Sequence, residues 1–346
     1  MSFLTVYRLE KQMVRMDYKV DLQYQTQGPC EFVLNVCPAR TRAQRVVAET
    51  LEVDGATPTY TFTDPIAANR INRLYCNGGP VAIRYRGTVE LNHYIGDPAT
   101  IAESAVRTMP SEVVPYILPS RYCPSDKMGR LALAMFGNAA PGYARVASIC
   151  EWVRQHVAFK SGASDATSCA IDTFDSRVGV CRDYAHLMIS MCRALNIPAR
   201  YVTGADYGAD PALGPTDFHA YVEVFLGQRW YLFDPSGISP VMGLIRIGTG
   251  HDAADVSFAT LFGNIKSHAP VVSIELVAGD EAQFETVDSL QRAVSTATES
   301  LYHHVVQAPS PQSQPSSPPP SQVTPPASGA FIRRPAFSPT PAARFA

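Results

Sequence analysis

The 346-residue sequence lacks several features that mark specialised classes of protein. No apolar run reaches the roughly 18 residues that a membrane-spanning helix needs. Lysine and arginine number 29 against 31 acidic residues, so the chain has no basic excess for binding nucleic-acid phosphates. The N-terminus has no basic start followed by a long apolar stretch, the pattern of a secretory signal. We therefore expect a cytoplasmic protein whose partners are neither nucleic acid nor membrane.

Cysteine pairs with metal-ligand spacing are also missing from the sequence. No Cys-x-x-Cys pair occurs, and no cysteine and histidine set has zinc-finger spacing. A chain of this size without a secretion signal has no need of disulfides, so we predict that the cysteines are reduced. Most of them should be small buried side chains. The eight are Cys30, Cys37, Cys76, Cys123, Cys150, Cys169, Cys181 and Cys192.

Acidic residues are absent from the last forty residues, Gln307–Ala346, which hold 11 of the 28 prolines and many serines. Such a composition cannot bury enough apolar surface to offset the entropy of ordering the chain. We predict a disordered tail over 307–346. The alternative interpretation is a docking motif near Phe331–Arg334.

The remaining composition is that of a globular protein, with 46% hydrophobic and 17% charged residues. The length allows about two domains. Short alternating runs such as Met16–Leu22 and Val81–Tyr85 are separated by turn signals that include Gly28-Pro29 and Asp54-Gly55. This pattern predicts a β-rich, sandwich-like N-terminal domain over residues 1–100.

The pattern changes after residue 100, where helical periods are followed by strand patterns. Helices first and antiparallel strands afterwards are typical of an α+β domain, which we place at 101–270. Residues 271–306 are expected to complete the fold with one strand and one helix. The predicted helices are Ala102–Met109, Asp126–Phe136, Tyr143–Val157, one that begins near Cys181, and Asp288–Thr298. The predicted strands are Ala199–Gly204, Phe218–Phe225, Arg229–Phe233 and Val271–Val277.

Cys181 differs from the other cysteines in its position at the start of a helix with a plain apolar stripe. Unpaired N–H groups and the helix dipole favour a thiolate at such a position. Gly179 permits a close backbone approach just before it. Cys181 is therefore a candidate nucleophile, although a buried core cysteine is the simpler alternative. Cys192 shows that simpler case, because it lies in the middle of the same helix.

A nucleophilic thiolate needs a base, and His219 is the best candidate. Strand alternation in Phe218–Phe225 puts His219 on the more polar face. If the next turn is centred between Leu226 and Gly227, Asp234 lies directly across from His219 and could orient the imidazole. Taken singly, His219 could be a polar strand residue and Asp234 a turn residue before a proline. His186 is interpreted as a packing or surface histidine.

These segments resemble the transglutaminase-like superfamily, in its bacterial transglutaminase-like cysteine protease branch. The likeness covers residues 100–270, and the N-terminal stretch is similar to that branch's N-terminal domain. The order of Cys181, His219 and Asp234 also matches. The matching segments are GVCRDYAH at 179–186, CRALNIPARYV at 192–202, DFHA at 217–220 and WYLFDP at 230–235, with flanking likeness at 119–123 and 252–256.

The resemblance implies a papain-like α+β core with Cys181 as nucleophile, His219 as general base and acid, and Asp234 as the residue that orients the histidine. It implies acyl transfer on peptide or isopeptide amides through a thioester, with release to water or an amine. The amide N–H of Cys181 would supply part of the oxyanion hole. It implies no cofactor and no metal. The zinc-binding cysteines of peptide N-glycanase relatives and the calcium motifs of animal transglutaminases are missing from the sequence.

Two other classes of function stay open at this point. The first is a non-catalytic interaction protein that presents a groove and recruits partners through the proline-rich tail. The second is an oxidation-sensing thiol, which is favoured only if Cys181 has no histidine beside it. The sequence does not determine the substrate, the acyl acceptor or the oligomeric state.

Overall fold

The structure is a computed structural model that describes residues 12–209, 216–279, 284 and 287–296. The predicted tail, Gln307–Ala346, lies outside the described residues. In the described ranges no helix has the length and hydropathy needed to cross a membrane. All eight cysteines fall in these ranges and are free thiols, as predicted.

Four α-helices lie in the middle of the described chain, and three of them match the predicted ones. The unpredicted helix is α3, which has seven residues. The last helix, α4, begins at Cys181 and is buried along most of its length. The helices are α1 (Ser125–Phe136), α2 (Tyr143–His156), α3 (Ala170–Ser176) and α4 (Cys181–Ala194).

The strands of the described ranges form an eight-stranded sheet, a four-stranded sheet and a short pair. The first sheet holds β1 (Gln12–Leu34), β2 (Gln44–Asp54), β3 (Thr57–Thr63), β4 (Arg70–Cys76), β5 (Gly79–Gly96), β12 (Ala259–Ser267), β13 (Val271–Leu276) and β14 (Ala293–Ser295). The pair is β6 (Ala158–Phe159) with β7 (Val178–Gly179). The second sheet holds β8 (Ala199–Asp206), β9 (Phe218–Leu226), β10 (Arg229–Phe233) and β11 (Leu244–Gly250).

Strand β1 organises the first sheet because it is long enough to pair with four other strands. It pairs along β5 and β13 in its first half and along β12 and β4 in its second half. Alternate side chains of β1, from Val14 to Leu22, are buried, as the alternating run predicted. The Gly28 turn signal is a bulge inside β1 and not a turn, with a φ of 76° at the glycine.

Helix α4 packs on the second sheet, whose strand order is β10-β9-β8-β11. Its predicted apolar stripe is buried at Tyr184, Leu187, Met188 and Met191. Side chains of β9 that share this core include Val222 and Val224. Every residue of β9 from His219 onward is buried, so this strand is covered on both faces. A buried helix against an antiparallel sheet is the predicted α+β core.

Two predicted helices are wrong in the described chain. Residues 102–109 contain only a short 3-10 helix, Val106–Thr108. This segment instead hydrogen-bonds to the hairpin, where the amide of Gly227 donates to the carbonyl of Ala102. The described part of 288–298 forms a turn followed by β14, which pairs with β5. In both cases backbone pairing with a distant segment determines the structure, and the short amphipathic pattern does not.

The first sheet contains strands from more than one of the predicted domains. Strand β12 falls within 101–270, yet it pairs with β1 of the N-terminal region. Strand β13 is the predicted strand of the segment 271–306 and also pairs with β1. The domain boundaries themselves stay a prediction.

Candidate active site

Cys181 is the first residue of α4, and the start of this helix is fixed by Asp183. The Oδ2 atom of Asp183 accepts a hydrogen bond of 2.8 Å from the backbone N–H of Val180. Asp183 is only 1% exposed. A carboxylate in the first turn stabilises a helix through its dipole and through its unpaired N–H groups. Cys181 is therefore held at a defined helix N-terminus.

Gly179 is needed where the chain approaches this helix start. A Cβ atom at residue 179 would lie 2.7 Å from the Cβ of Asp183. Real side chains do not approach so closely, so a larger residue would displace the carboxylate that caps α4. The predicted close backbone approach at Gly179 is confirmed.

Cys181 is partly exposed, whereas most of the other thiols are buried. Burial raises the pKa of Cys123 to about 12. Burial also raises the pKa values of Cys150 and Cys192, which lie inside the core around α2 and α4. Cys181 is thus a thiol near the surface at the end of a buried helix, and Cys192 is the core cysteine that the sequence predicted.

His219 and Asp234 meet in the second sheet. The Nε2 atom of His219 lies 3.4 Å from the Oδ2 atom of Asp234. His219 is 8% exposed and Asp234 is 2% exposed, so solvent screens the pair little. The structure therefore brings these two predicted site residues together.

The Cys181 thiol lies close enough to His219 to act on the pKa of the imidazole. Burial lowers the pKa of His219, but the charges of Asp234 and Cys181 and hydrogen bonds to both raise it well above its usual value. The carboxylate and the thiol therefore both favour the protonated form of the imidazole. Because Asp234 faces Nε2, the other ring nitrogen is the one left for the thiol.

Asp234 is held as a carboxylate by several donors. Burial raises the pKa of Asp234, but the charge of His219 and hydrogen bonds from His219, Ser236 and Ser239 outweigh it and lower the pKa. The backbone N–H of Ser236 donates to Oδ1 at 2.9 Å, and that of Ser239 donates to Oδ2 at 3.0 Å. Its orientation is fixed by these contacts before it reaches the imidazole.

The predicted hairpin register is wrong, because the centre of the turn lies one residue later in the chain than predicted. Strands β9 and β10 pair with Arg229 opposite Leu226 and Phe233 opposite Val222. The turn is therefore formed by Gly227 and Gln228, both with positive φ. If the same register continued beyond Phe233, residue 236 would lie opposite His219. Asp234 reaches the imidazole from a diagonal position, which a side-chain contact can span.

Arg154 of α2 supports the turn that carries Asp234. Its Nη2 atom donates a hydrogen bond of 2.9 Å to the backbone carbonyl of Asp234. The same carbonyl accepts from the N–H of Gly237 at 3.2 Å, which closes the turn. Gly237 has a φ of 68°, and a Cβ there would lie 2.7 Å from the Nε of Arg154. The sequence gives no signal for Arg154, because 80 residues separate it from Asp234.

Ser236 is a second residue of the candidate site that was not predicted from the sequence. Its Oγ atom donates to Oδ1 of Asp234 at 2.6 Å and lies 3.4 Å from Nε2 of His219. The signal for it was present in the sequence, because Asp-Pro-Ser favours a turn in which the aspartate accepts from the residue two positions on.

His186 is a packing histidine, as predicted. It is fully buried and stacks on Tyr122, with ring centroids 5.0 Å apart. Its Nε2 atom lies 3.2 Å from the backbone N–H of Ala253, from which it accepts a hydrogen bond. Burial lowers the pKa of His186 to about 3. A neutral imidazole locked in this way takes no part in the site.

The loop before α3 is tied to the start of α4. Arg182 donates from Nη2 to the carbonyl of Asp165 at 2.9 Å and to Oγ of Ser164 at 3.1 Å. Ser164 in turn donates to the carboxylate of Asp183. These contacts give the loop a fixed position beside Cys181. Among the described residues, no group of three or more histidine, cysteine, aspartate or glutamate side chains could hold a metal ion.

Two family descriptions match the chain. Residues 129–235 match the transglutaminase-like superfamily, and this range includes Cys181, His219 and Asp234. Residues 14–112 match the bacterial transglutaminase N-terminal domain. The second match corresponds to most of β1–β5 and the segment that follows them.

Similar proteins are found among solved structures and among curated proteins. A crystal structure from Cytophaga hutchinsonii, described as a "Putative Cysteine Protease", is 34% identical and has a TM-score of 0.76. The match covers 82% of this chain and 97% of that one. A Mycobacterium leprae protein named as uncharacterized is 29% identical over 145 residues, and one from Mycobacterium tuberculosis is 28% identical over 132 residues.

The mycobacterial matches are partial. The M. leprae match covers 40% of this chain and 51% of that protein, and the M. tuberculosis match covers 34% and 42%. The chain thus spans about half the length, or less, of these curated relatives. The Cytophaga protein, by contrast, is matched along nearly its whole length. Together with the two family matches, this similarity shows that the chain belongs to the transglutaminase-like superfamily.

Proposed function

We propose that this protein catalyses cysteine-dependent acyl transfer on peptide or isopeptide amides. The observation that supports the proposal most is the buried pair of His219 and Asp234, with Nε2 of His219 3.4 Å from Oδ2 of Asp234, beside the Cys181 thiol that also raises the pKa of His219. Cys181 would be the nucleophile, His219 the general base and acid, and Asp234 the residue that orients His219. The substrate would be a peptide or protein that presents an amide carbonyl at the start of α4.

The first step would form a thioester. The thiolate of Cys181 attacks the carbonyl carbon of the substrate, and a C–S bond forms as the carbonyl oxygen becomes an oxyanion. The protonated His219 donates its proton to the amide nitrogen. The C–N bond then breaks and the amine leaves, while the acyl group stays on the sulfur.

The second step would release the acyl group. His219, now neutral, accepts a proton from water or from an acceptor amine as that nucleophile attacks the thioester carbonyl. The C–S bond breaks, the thiolate returns and His219 is again protonated. Hydrolysis gives a carboxylic acid, and transfer to an amine gives a new amide. Neither step uses an oxidant, a metal or a cofactor.

The helix start supports both steps electrostatically. The N–H of Cys181 belongs to the first turn of α4, where helix N–H groups have no partner within the helix. Such a donor stabilises the oxyanion of the tetrahedral intermediate. The positive end of the α4 dipole also favours a thiolate at residue 181. The capping contacts of Asp183 and Gly179 hold this helix start in place.

Alkylation of single cysteines tests the proposed nucleophile. Cys169 is a matched control, because it is also partly exposed and also lies at a helix start, that of α3. Its backbone N–H donates a hydrogen bond of 2.8 Å to the carboxylate of Asp172. We expect iodoacetamide to label Cys181 at least about ten times faster than Cys169 at about pH 6, as measured by mass spectrometry of the peptides.

A His219→Ala variant separates an ion pair from simple exposure. It should slow the labelling of Cys181 strongly at about pH 6 and much less at about pH 9.5, where a free thiol ionises unaided. Labelling of Cys169 should not change. If Cys181 reacts no faster than Cys169, or if His219→Ala has no effect, the proposed mechanism is wrong.

The second candidate function is a non-catalytic interaction protein of the same fold. The proline-rich segment Gln307–Ala346 favours it, since such segments bind partners in many proteins. An inert Cys181 in the labelling experiment would make it the leading interpretation. We also propose a cytoplasmic location and activity without a cofactor.

A further inference from the structure

We propose that Ser236 is a positioning residue for His219, which it keeps in the tautomer that carries the proton on Nε2. The inference rests on the proposed function of Cys181 and His219. The residue acts through the histidine and does not touch the substrate. The hydrogen atoms and lone pairs available on Ser236, Asp234 and His219 determine this tautomer.

The hydroxyl of Ser236 has one proton, and it donates this proton in a hydrogen bond to Asp234. A serine hydroxyl donates one hydrogen bond and accepts two. The distance of 2.6 Å from Oγ of Ser236 to Oδ1 of Asp234 is that of a charge-assisted O–H···O⁻ bond. Asp234 is a carboxylate and has no proton to donate in return. The hydroxyl proton of Ser236 is therefore committed to Oδ1.

The backbone N–H of Ile238 donates to Oγ of Ser236 at 3.4 Å, which leaves one lone pair of Oγ for the histidine. Oγ of Ser236 and Oδ2 of Asp234 both lie 3.4 Å from Nε2 of His219. Because neither oxygen has a proton to offer, a hydrogen atom on Nε2 is the only one that satisfies this arrangement. Each distance is longer than the usual 2.7–3.2 Å of an N–H···O bond, as expected when one N–H is shared by two acceptors.

This arrangement determines which nitrogen serves the thiol. With a proton fixed on Nε2, the neutral histidine presents the lone pair of Nδ1, which is the remaining nitrogen for Cys181. The proton that moves in catalysis is then always the one on Nδ1. Without Ser236, Nε2–H would keep one distant acceptor, and the ring would be freer to rotate or change tautomer.

The turn holds Ser236 in place from both sides. Pro235 fixes the backbone φ immediately before it. Arg154 binds the carbonyl of Asp234, and Gly237 closes the turn to the same atom. The hydroxyl of Ser236 therefore reaches Asp234 and His219 from a rigid backbone, which a positioning residue requires.

The test is nitrogen NMR of histidine-labelled protein across a pH titration. In the unmodified protein, neutral His219 should show the Nε2–H tautomer. In Ser236→Ala, the fraction of the Nδ1–H tautomer should rise. The midpoint of His219 should fall by roughly half a unit to one unit, because the imidazolium loses one acceptor. Ser236→Thr keeps the hydroxyl and should restore both values.

A matched control separates this effect from general loss of structure. Ser257 also donates a hydrogen bond, at 2.8 Å to the carbonyl of Ala253, and it lies outside the site. Ser257→Ala should leave the tautomer and the midpoint of His219 unchanged. A wild-type spectrum with the proton on Nδ1, or a Ser236→Ala variant identical to wild type, would overturn the inference. The wild-type spectrum decides the tautomer even if Ser236→Ala does not fold.

Failure of this inference and failure of the proposed function give different results. If Cys181 labels fast but Ser236→Ala leaves His219 unaltered, the mechanism stands and only the role of Ser236 is wrong. If Cys181 labels no faster than Cys169, the proposed function fails, whatever the tautomer of His219.

Discussion

Arg154 donates a hydrogen bond of 2.9 Å from its Nη2 atom to the backbone carbonyl of Asp234. This bond joins helix α2 to the turn that carries the acidic member of the candidate site. The guanidinium is also 3.7 Å from the carboxylate of Glu151, one turn back on the same helix. Arg154 thus fixes the position of Asp234 through its backbone while the side chain of Asp234 is left for His219.

The first prediction concerns Arg154→Met. The loss of this hydrogen bond should loosen the turn and slow the labelling of Cys181 by about 3-fold to 10-fold, since one intramolecular hydrogen bond contributes about 0.5–1.5 kcal/mol. Labelling of Cys169 by iodoacetamide in the same sample gives the internal reference. Arg154→Lys keeps the charge but not the planar guanidinium, and should recover only part of the rate.

Arg130 supplies the control for this experiment, because it is an exposed arginine on α1. Arg130→Met should leave the labelling rate of Cys181 unchanged. Equal rates in Arg154→Met and Arg130→Met would mean that the backbone contact to Asp234 does not position the site.

The second prediction concerns Glu223, a fully buried carboxylate on β9. It accepts hydrogen bonds from both Nη atoms of Arg246, and Nε of Arg200 donates to it at 2.7 Å. Burial raises the pKa of Glu223, but the two arginines lower it to about 2. Glu223→Gln would leave Arg246, which is 2% exposed, without its countercharge. The free energy of unfolding in urea should fall by about 3–5 kcal/mol.

A surface ion pair provides the comparison for Glu223. Arg84 lies 2.7 Å from Asp54 on the exposed side of the first sheet. Arg84→Gln should not change the urea midpoint measurably, because solvent screens exposed pairs. If Glu223→Gln and Arg84→Gln lower the urea midpoint equally, the buried cluster does not stabilise the fold more than an exposed ion pair does.

The sequence predicted the α+β core, because helices α1, α2 and α4 and strands β8–β10 have clear periods and long apolar faces. It failed where pairing with distant backbone decides the structure. Residues 102–109 have a helical pattern but run beside the hairpin, and Ala102 accepts a bond from Gly227. Residues 293–295 form β14 because they pair with Tyr94–Gly96 of β5. The residue pattern of one segment does not show which distant backbone that segment will pair with.

The sequence indicated three residues of the candidate site but not the residues that support them. Cys181, His219 and Asp234 each stand in a recognisable local context. The hairpin register could not be fixed, because Gln228 adopts a positive φ that its residue type does not indicate. Arg154 could not be found, since only the fold brings α2 to the turn of Asp234. Ser236 could have been found from its turn motif.

The third prediction concerns Gly179→Ala. The new Cβ would lie 2.7 Å from the Cβ of Asp183 and 3.0 Å from its Oδ2, so the capping carboxylate must move. Overpacking of this kind costs about 1–3 kcal/mol. The displaced cap should also slow the labelling of Cys181, because it holds the start of α4. Urea unfolding and iodoacetamide labelling of the same sample measure the two effects.

Gly129 provides a control substitution with the opposite expected effect on stability. It lies in α1, and a Cβ there would meet nothing within 4 Å. Gly129→Ala should stabilise the protein by about 0.4–1 kcal/mol, as alanine does in a helix with free space. A Gly179→Ala variant that is as stable as Gly129→Ala would contradict the close packing of Asp183 against residue 179.

The fourth prediction concerns the acid stability that His186 controls. Burial lowers its pKa to about 3, whereas an unfolded histidine has a pKa of about 6.5. Between these values the unfolded chain binds a proton that the folded protein does not. The contribution of neutral His186 to the free energy of unfolding should therefore be fully present above about pH 6.5. It should decrease as the pH falls from there toward 3. Asp252 favours the charged form, while Arg182 and Arg193 oppose it.

His186→Gln removes this titration while its amide oxygen can still accept from the N–H of Ala253. Between about pH 7.5 and pH 5, the unfolding free energy of wild type should fall by about 2 kcal/mol more than that of His186→Gln. Urea unfolding at the two pH values measures this difference, in which all other titrating groups cancel. His268 is an exposed histidine, and His268→Gln should follow the wild-type curve. A His186→Gln variant that loses as much stability as wild type on acidification would show that His186 takes up its proton within the folded protein.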